Sequence, residues 1–254
     1  INNLIWHDQK SMFGNREYNA TQKSYYSSLL YQWTPLATNH IFDAGLSYKY
    51  DLYDESLDGS PLGREESVPG IFAQYSYADS PLITAIAGIR VDFHNLYGTL
   101  VTPRVHIRYS PGNTFTYRAS AGKGFRSGNI LAENSYLLAS SRVLHIAGNI
   151  GIEEAWNTGF SISGSVPVSS KTLKFTGEYF RTSFINQIIT DLDASVDEVL
   201  FYNLDGKSYS NVFQLEASSQ LFEGFDLLAA WRWNDVKMTT DGLLRDKALA
   251  SKYK

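Results

Sequence analysis

The side chains best able to do chemistry in this chain gather in one stretch, where Arg90, Asp92, Arg104, His106, Arg108 and Arg118 alternate with apolar residues between Leu82 and Lys123. Guanidinium groups grip carboxylates and phosphates through planar, two-pronged hydrogen bonding. Charge on a sheet face must be met by water, by a partner or by other charges. The set therefore reads in one of two ways: as a lateral Asp–Arg pair within a polar wall, or as a basic ladder for acidic groups of a partner or an anionic ligand. Counting from a loop at 95–100, the hairpin register predicts Asp92 beside Arg104 and Arg90 beside His106. His94, His106 and Asp92 are of metal-ligating types, but their spacing follows no metal-site pattern and no metal is assigned.

A second set lies in the irregular segment from Gly124 to Ile152, which carries Arg126, Asn129, Glu133, Asn134, Tyr136, Arg142 and His145. Loops held by a rigid scaffold are where recognition tends to reside, so these seven are the candidates for ligand contact. Within the segment, Leu137, Leu138 and Leu144 recur at helical spacing and suggest a short helix over 132–144. Three enzyme-like signatures carry little. Ser120-Ala121-Gly122-Lys123 matches S-x-x-K without its companion motifs. The Gly122–Gly128 run has neither dinucleotide nor phosphate-loop spacing, and Asn19-Ala20-Thr21 would be a chance sequon if the source is bacterial. The acidic tips at 51–58 and 191–198 follow no calcium-loop pattern and read as solvated loop charge. No catalytic residue and no cofactor are assigned.

The elements that must position these residues are strands. Ile83, Ala85, Ala87, Ile89, Val91 and Phe93 share one face, with Thr84, Ile86, Gly88, Arg90, Asp92 and His94 on the other. Val105, Ile107 and Tyr109 then alternate with Arg104, His106 and Arg108, and Phe115, Tyr117, Ala119 and Ala121 with Thr116, Arg118 and Ser120. A period of two is the strand signature. In a soluble sandwich the apolar face would meet a second sheet; in an outer-membrane barrel it meets lipid and the charged face lines the bore.

Composition narrows the choice. Among 254 residues, aromatics reach 14%, with 17 Tyr and 14 Phe, which suits sheet faces and membrane interfaces. The absence of Cys excludes disulfides, thiolate metal sites and a Cys nucleophile. A net charge of −4 and a pI near 5.7 argue against a nucleic-acid surface. The longest apolar run, Leu82 to Ile89, is far short of the roughly 20 residues of a membrane helix. If the chain crosses a bilayer it does so with strands. It opens at Ile1 without a signal peptide and closes on a polar run, which reads as an excerpt of a longer protein.

Along the whole chain about eleven strands are predicted. Short turns at 35–38, 79–81, 111–112, 168–170 and 223–224 alternate with longer connections at 10–20, 53–65, 95–100, 124–152, 190–198 and from 239 onward. That order suits an antiparallel up-and-down transmembrane β-barrel, whereas a Greek-key sandwich would scramble it. Trp33, Phe42, Tyr75, Tyr77, Tyr109, Phe115 and Phe225 fall near the short turns, as an aromatic girdle would.

The stretches GIRVDFHNLYGTLVTPRVHIRYSPGN, SAGKGFRSGNILAENSYLLASSR, EEAWNTGFSIS, YFRTSFINQIITDLD and YNLDGKSYSNVFQLEAS, spread over most of residues 20–237, resemble the TonB-dependent outer-membrane receptors, specifically the C-terminal barrel of Bacteroidetes-type sequences. The resemblance implies half of a barrel of about 22 strands in the outer membrane of a Gram-negative bacterium, with lipid around it. It also implies a plug domain, the TonB energy-coupling system and a small-molecule ligand as partners. The ligand class stays open among siderophore, haem, cobalamin, metal chelate and glycan. Plug domain, energy-coupling box and closing strands are missing from 1–254, so the segment reads as a partial barrel domain. In that setting the ladder faces the bore and its arginines await acidic groups of a plug or an anionic ligand. The alternatives are a passive porin and a soluble β-sheet carbohydrate-binding module. No nucleic-acid partner and no enzymatic activity are expected.

Overall fold

A computed structural model describes residues 1–36, 39–79, 81–169, 171–247 and 250–254. The predicted turns at 35–38, 79–81 and 168–170 therefore lie partly outside the described residues. Sixteen strands follow one another: β1 (Asn2–Phe13), β2 (Arg16–Trp33), β3 (His40–Leu57), β4 (Ser60–Pro61), β5 (Arg64–Asp79), β6 (Ile83–His94), β7 (Gly98–Tyr109), β8 (Phe115–Arg126), β9 (Val143–Ile146), β10 (Glu153–Val168), β11 (Lys171–Asn186), β12 (Ile188–Asp191), β13 (Glu198–Asn203), β14 (Ser208–Phe222), β15 (Phe225–Thr240) and β16 (Leu243–Asp246). Eleven of these are long, and with the short β16 they form one antiparallel meander in the order β1-β2-β3-β5-β6-β7-β8-β10-β11-β14-β15-β16. Among the described residues β1 and β16 do not pair, so the sheet has two open edges.

The connections at one end, here the turn end, are all brief. At the other, the capped end, two excursions at 127–152 and 187–207 carry α1 (Ile130–Glu133), a 3-10 helix at Ser135–Ala139 and the small sheet β12-β13-β9. The 132–144 helix expected from leucine spacing is thus two short turns and a strand. Its leucines serve two separate apolar clusters rather than one helix face.

The sequence pattern also misplaces four connections. Residues 10–20, 53–65, 95–100 and 239–246 are not long loops but mostly strand ends closed by tight turns. Asp58-Gly59 and Asp241-Gly242 supply consecutive left-handed residues, with φ of 50° and 78° and of 53° and 72°; these are the turns that twist with the strands. In the wet zone both faces of a strand are polar, so the period of two fades and a strand looks like a loop. The hairpin of β6 and β7 shows the consequence. His94 pairs with Gly98, which sets Arg90 opposite Thr102, Asp92 opposite Leu100, and Arg104 opposite Gly88. The expected Asp92–Arg104 and Arg90–His106 neighbours do not form, because the turn is shorter than the predicted loop.

Each face then declares its solvent. On one face Leu29, Leu46, Ile71, Ile89, Ile107, Phe160, Leu215 and Leu227 are exposed with no second layer over them. Toward the turn end that face carries linked aromatic rings: Trp33–Phe42 at 5.2 Å and Phe42–Tyr75 at 5.1 Å between centroids, then Tyr109–Tyr117, Phe115–Tyr117, Phe115–Phe175 and Phe222–Phe225. Such a belt marks a membrane interface. The opposite face holds Tyr18, Asp51, Glu55, Glu66, Asp92 and His94, all buried. A chain of 28.5 kDa folded as a compact globule would expose about 11,000 Å²; this one exposes 15870 Å². A sandwich buries its apolar face, and here that face is bare. The chain forms an open, partial transmembrane β-barrel wall.

A capped polar wall as the candidate binding site

The polar face of β2–β6 is built from cations and acids set two residues apart on one strand. Lys49 Nζ lies 2.6 Å from Asp51, Arg64 Nε 2.8 Å from Glu66, and Arg90 Nη2 2.6 Å from Asp92. Residues i and i+2 of a strand share a face, so each acid is neutralised by its own strand. This allows Asp51 and Glu66, directly opposed across β3 and β5, to stand 1% exposed side by side; uncompensated like charges there would destabilise the pair. Sequence reasoning paired Asp92 across the hairpin, read Asp51 and Glu55 as solvated loop charge where the structure buries them in β3 against the cap, and missed Glu66. The pattern cation-x-acid within a strand, at 49–51, 64–66 and 90–92, is the signal that finds two of them and gives Asp92 its true partner.

The cap docks onto these carboxylates. Ser127 Oγ donates to Glu66 Oε1 at 2.5 Å, and Asn129 Nδ2 donates to Glu55 Oε1. Asn129 Oδ1 meanwhile accepts from the Ala132 amide at 3.0 Å and caps α1. Above them Leu131 and Leu138 pack on Tyr18, and Leu137 on Val199 and Phe201. The two excursions are fastened by β9 running parallel to β13 and by Asn203, which bonds both the N–H and the carbonyl of Gly151. In the cap, burial and a hydrogen bond to Asp191 push the Tyr202 hydroxyl above its ordinary range.

Beside residues 124–127, where β8 leads into the cap, a cavity of about 450 Å³ is lined by Lys49, Glu66, Arg90, Asp92, His94 and Arg126. His94 Nδ1 accepts from the Leu96 amide at 3.2 Å, which leaves the ring proton on Nε2 when the ring is neutral. That nitrogen faces Glu66 Oε2 at 3.7 Å, beyond hydrogen-bond reach.

Of the seven cap candidates, four are occupied in holding the cap. Arg126 pairs with Glu133 and Glu153, and Glu133 also accepts from the Asn129 amide. Asn129 bridges cap and wall, and Asn134 bonds Ile130 and Thr190. Arg142 donates to the Leu192 carbonyl, His145 lies 3.4 Å from Glu198, and Tyr136 is 62% exposed. Tyr136 and His145 present their groups to solvent at the capped end, and the half-buried Arg142 reaches that end while tying the two excursions together through Leu192.

The ladder divides in two. Arg90 is bound to Asp92 and Ser47. Arg104 donates to Gln74, Arg108 to the Pro81 carbonyl and Arg118 to Ser163, with no ion pair among the described residues. His106 stands exposed opposite Ile86, eight residues along β6 from His94, so the two imidazoles lie on the order of 27 Å apart and share no metal.

Residues 3–251 match the family described as TonB dependent receptor-like, beta-barrel. No curated protein sequence matches the chain. Among solved structures the chain resembles the siderophore receptor PirA of Pseudomonas aeruginosa (14% identity, TM-score 0.63, 93% of this chain and 52% of that one). It is also similar to the ferric enterobactin receptor PfeA of the same organism (15%, 0.63, 86% and 36%) and the FrpB iron transporter of Neisseria meningitidis (12%, 0.62, 91% and 39%). The chain thus spans about half or less of the length of the structures it matches. A polar wall capped at one end, an unpartnered apolar face with its aromatic belt, and a family match over nearly every residue converge: the chain belongs to the TonB dependent receptor-like β-barrel family of the Gram-negative outer membrane.

Proposed function

We propose that residues 1–254 are part of the barrel wall of an energy-coupled outer-membrane importer for a scarce small-molecule ligand, with an iron chelate as the first ligand class to test. The observation that carries this reading is the inversion of the sheet: its polar face is the covered one, as a water-filled bore closed by a cap requires, while its apolar face is left for acyl chains. The iron-linked neighbours support the ligand class, since each is described as a siderophore receptor or an iron transporter. Tyr136, Arg142 and His145 are the side chains proposed to meet the ligand first, with Arg126, Asn129, Glu133 and Asn134 holding the cap that presents them. Bore-filling plug, closing strands and contact with TonB belong to the remainder of the receptor polypeptide in this reading. No residue is assigned a bond-making step, and the work is binding and release.

The test is uptake of radiolabelled ferric chelates by cells expressing the complete receptor under iron limitation, with and without a protonophore. Accumulation that the protonophore abolishes supports the reading. Entry that is indifferent to the protonophore and linear in concentration would mean passive diffusion and overturn it.

A further inference from the structure

On its lipid-facing side the wall stays apolar from the turn end upward until a polar row crosses it. Phe160, Tyr179, Phe213 and Trp233 form the last aromatic row, and one step above them Thr158, Arg181, Asn211 and Asp235 stand in register across β10, β11, β14 and β15. Arg181 lies ten residues up β11 from Lys171. That is roughly 33 Å of strand and, at a tilt of about 40°, about 25 Å of height, which is the height of the apolar band. The row therefore sits at the upper membrane interface, and since the longer excursions mark the external side, the headgroups around it are those of the outer leaflet.

The row is a frame built around one guanidinium. Asn211, 8% exposed, accepts through Oδ1 from the Tyr179 hydroxyl and from Arg181 Nη1, both at 3.0 Å, and its Nδ2 donates to Asp235 at 3.0 Å. Arg181 Nε donates to Ser183 Oγ at 3.1 Å, and its guanidinium carbon lies 4.4 Å from the centre of the Tyr209 ring. These contacts fix its direction, but none is with an acid. Among the described residues Arg181 has no ion pair and its Nη2 no hydrogen bond. Asp235 is shared between Asn211 and Lys237, whose Nζ is 3.9 Å away. Two cations and one acid leave a net positive charge at the border of the hydrocarbon, where charge must be met by a counter-charge.

We propose that this outer face of β10, β11, β14 and β15 binds a phosphorylated glycolipid of the outer leaflet, with Arg181 gripping a phosphate. Charge sets the sign of the headgroup, and the oriented guanidinium with an open Nη2 edge suits phosphate oxygens. Spacing sets its kind. Lys237 stands two strands across and one row up from Arg181, on the order of 12 Å away, so a disaccharide with a phosphate at each end meets both cations, whereas a phospholipid with one phosphate meets one. Trp156, 40% exposed beside Ser183 on the same face, offers a ring for a sugar to lie against. The inference goes beyond the importer reading and rests on the membrane placement of the wall alone.

The complete receptor in detergent is titrated with bis-phosphorylated lipid A, with its dephosphorylated form and with phosphatidylglycerol, and bound lipid is counted by native mass spectrometry. The expected result is a preference for bis-phosphorylated lipid A of about tenfold or more, the worth of one charge-assisted hydrogen bond. Arg181→Gln should abolish the preference. Tyr209→Leu, which keeps every charge, should weaken it and serves as the readout where Arg181→Gln does not fold. Lys23→Gln should leave it intact, because Lys23 stands ten residues up β2 from Trp33, at the same height, with only the Trp6 ring beneath it. Equal binding of the three lipids, a preference that survives both Arg181→Gln and Tyr209→Leu, or an equal loss in Lys23→Gln would overturn the site. Protonophore-sensitive uptake without any lipid preference would remove this inference and leave the importer reading standing.

Discussion

Asn129→Ala probes the cap at its hinge and severs two interactions at once. The capping bond from the Ala132 amide to Asn129 Oδ1 is lost, at about 1 kcal/mol. So is the bond from Nδ2 to the buried Glu55 carboxylate, about 1.5–3 kcal/mol for a charged acceptor. Glu55 keeps only the Tyr18 hydroxyl, at 3.3 Å. Together the cap should open more easily by about 2.5–4 kcal/mol, or about 70- to 900-fold in its opening equilibrium. The assay is amide hydrogen exchange of the complete receptor in detergent, read at Leu137 and Ser140, whose N–H groups bond Asn134 and Leu137 carbonyls. Those amides should exchange faster by that factor, while amides of the β6–β7 ladder keep wild-type rates. Exchange within threefold of wild type at Leu137 and Ser140 would show that the cap is not latched to the wall through Asn129, and the account of the site would fail with it.

Three further outcomes follow from the same geometry. Ile89→Arg, on the bare face, should cost about 2–4 kcal/mol in refolding into lipid vesicles, and His106→Arg, on the polar face, less than about 1 kcal/mol; equal costs would contradict the assignment of faces. Gly159→Ala should destabilise the wall by about 1–3 kcal/mol, because a Cβ there meets the Phe180 ring at 2.4 Å. Phe180→Ala should rescue it, whereas Gly45→Ala should resist rescue by Phe72→Ala, since its Cβ also meets the Leu29 backbone carbonyl at 2.3 Å; denaturant midpoints of the four variants check this. Because the folded Tyr202 hydroxyl sits above its ordinary value of 10.0, its contribution to cap stability is intact below that pH and is lost as pH rises through the raised value. A ring-carbon NMR titration, with Tyr202→Phe to identify the signal, should show a midpoint above 10.0, and a midpoint at or below it would refute the buried Asp191 contact.

The apolar band was legible because lipid demands it residue by residue: Ile83 to Phe93, with Ile86 the one apolar side chain on the polar face, and Val105 to Tyr109 alternate, and the structure keeps both faces. Legibility ended where the strands leave that band. From Lys49 to Leu57 and from Arg64 to Val68 the chain is still strand, yet water on one side and a polar wall on the other remove the contrast on which a period of two depends. The β6–β7 register failed for a related reason, since Gly98 at φ 74° closes a turn that composition alone stretches into a loop. The seven cap residues lie in or beside the cap, but their division of labour, with Arg142 and four others bracing it and Tyr136 and His145 facing solvent, depends on contacts to Glu55, Glu153, Ile130, Thr190 and Leu192 that no local pattern announces.

A wall whose apolar face belongs to lipid cannot hold a cap by apolar burial alone, because little of its inner face is greasy. The cap clusters recruit Tyr18 and Leu57 at the rim, and below that the contact surface is carboxylate and hydroxyl. Buried acids are stable only when paired, so Asp51, Glu66 and Asp92 each have a cation two residues away on their own strand, and the cap adds Ser127 to the Glu66 oxygen that Arg64 already holds and Asn129 to the Glu55 oxygen that Tyr18 leaves free. The same arithmetic applied to β7 and β8 leaves a remainder. Near the cap the acids are supplied from within the wall; toward the turn end Arg104, Arg108 and Arg118 have, among the described residues, only the neutral partners Gln74, the Pro81 carbonyl and Ser163.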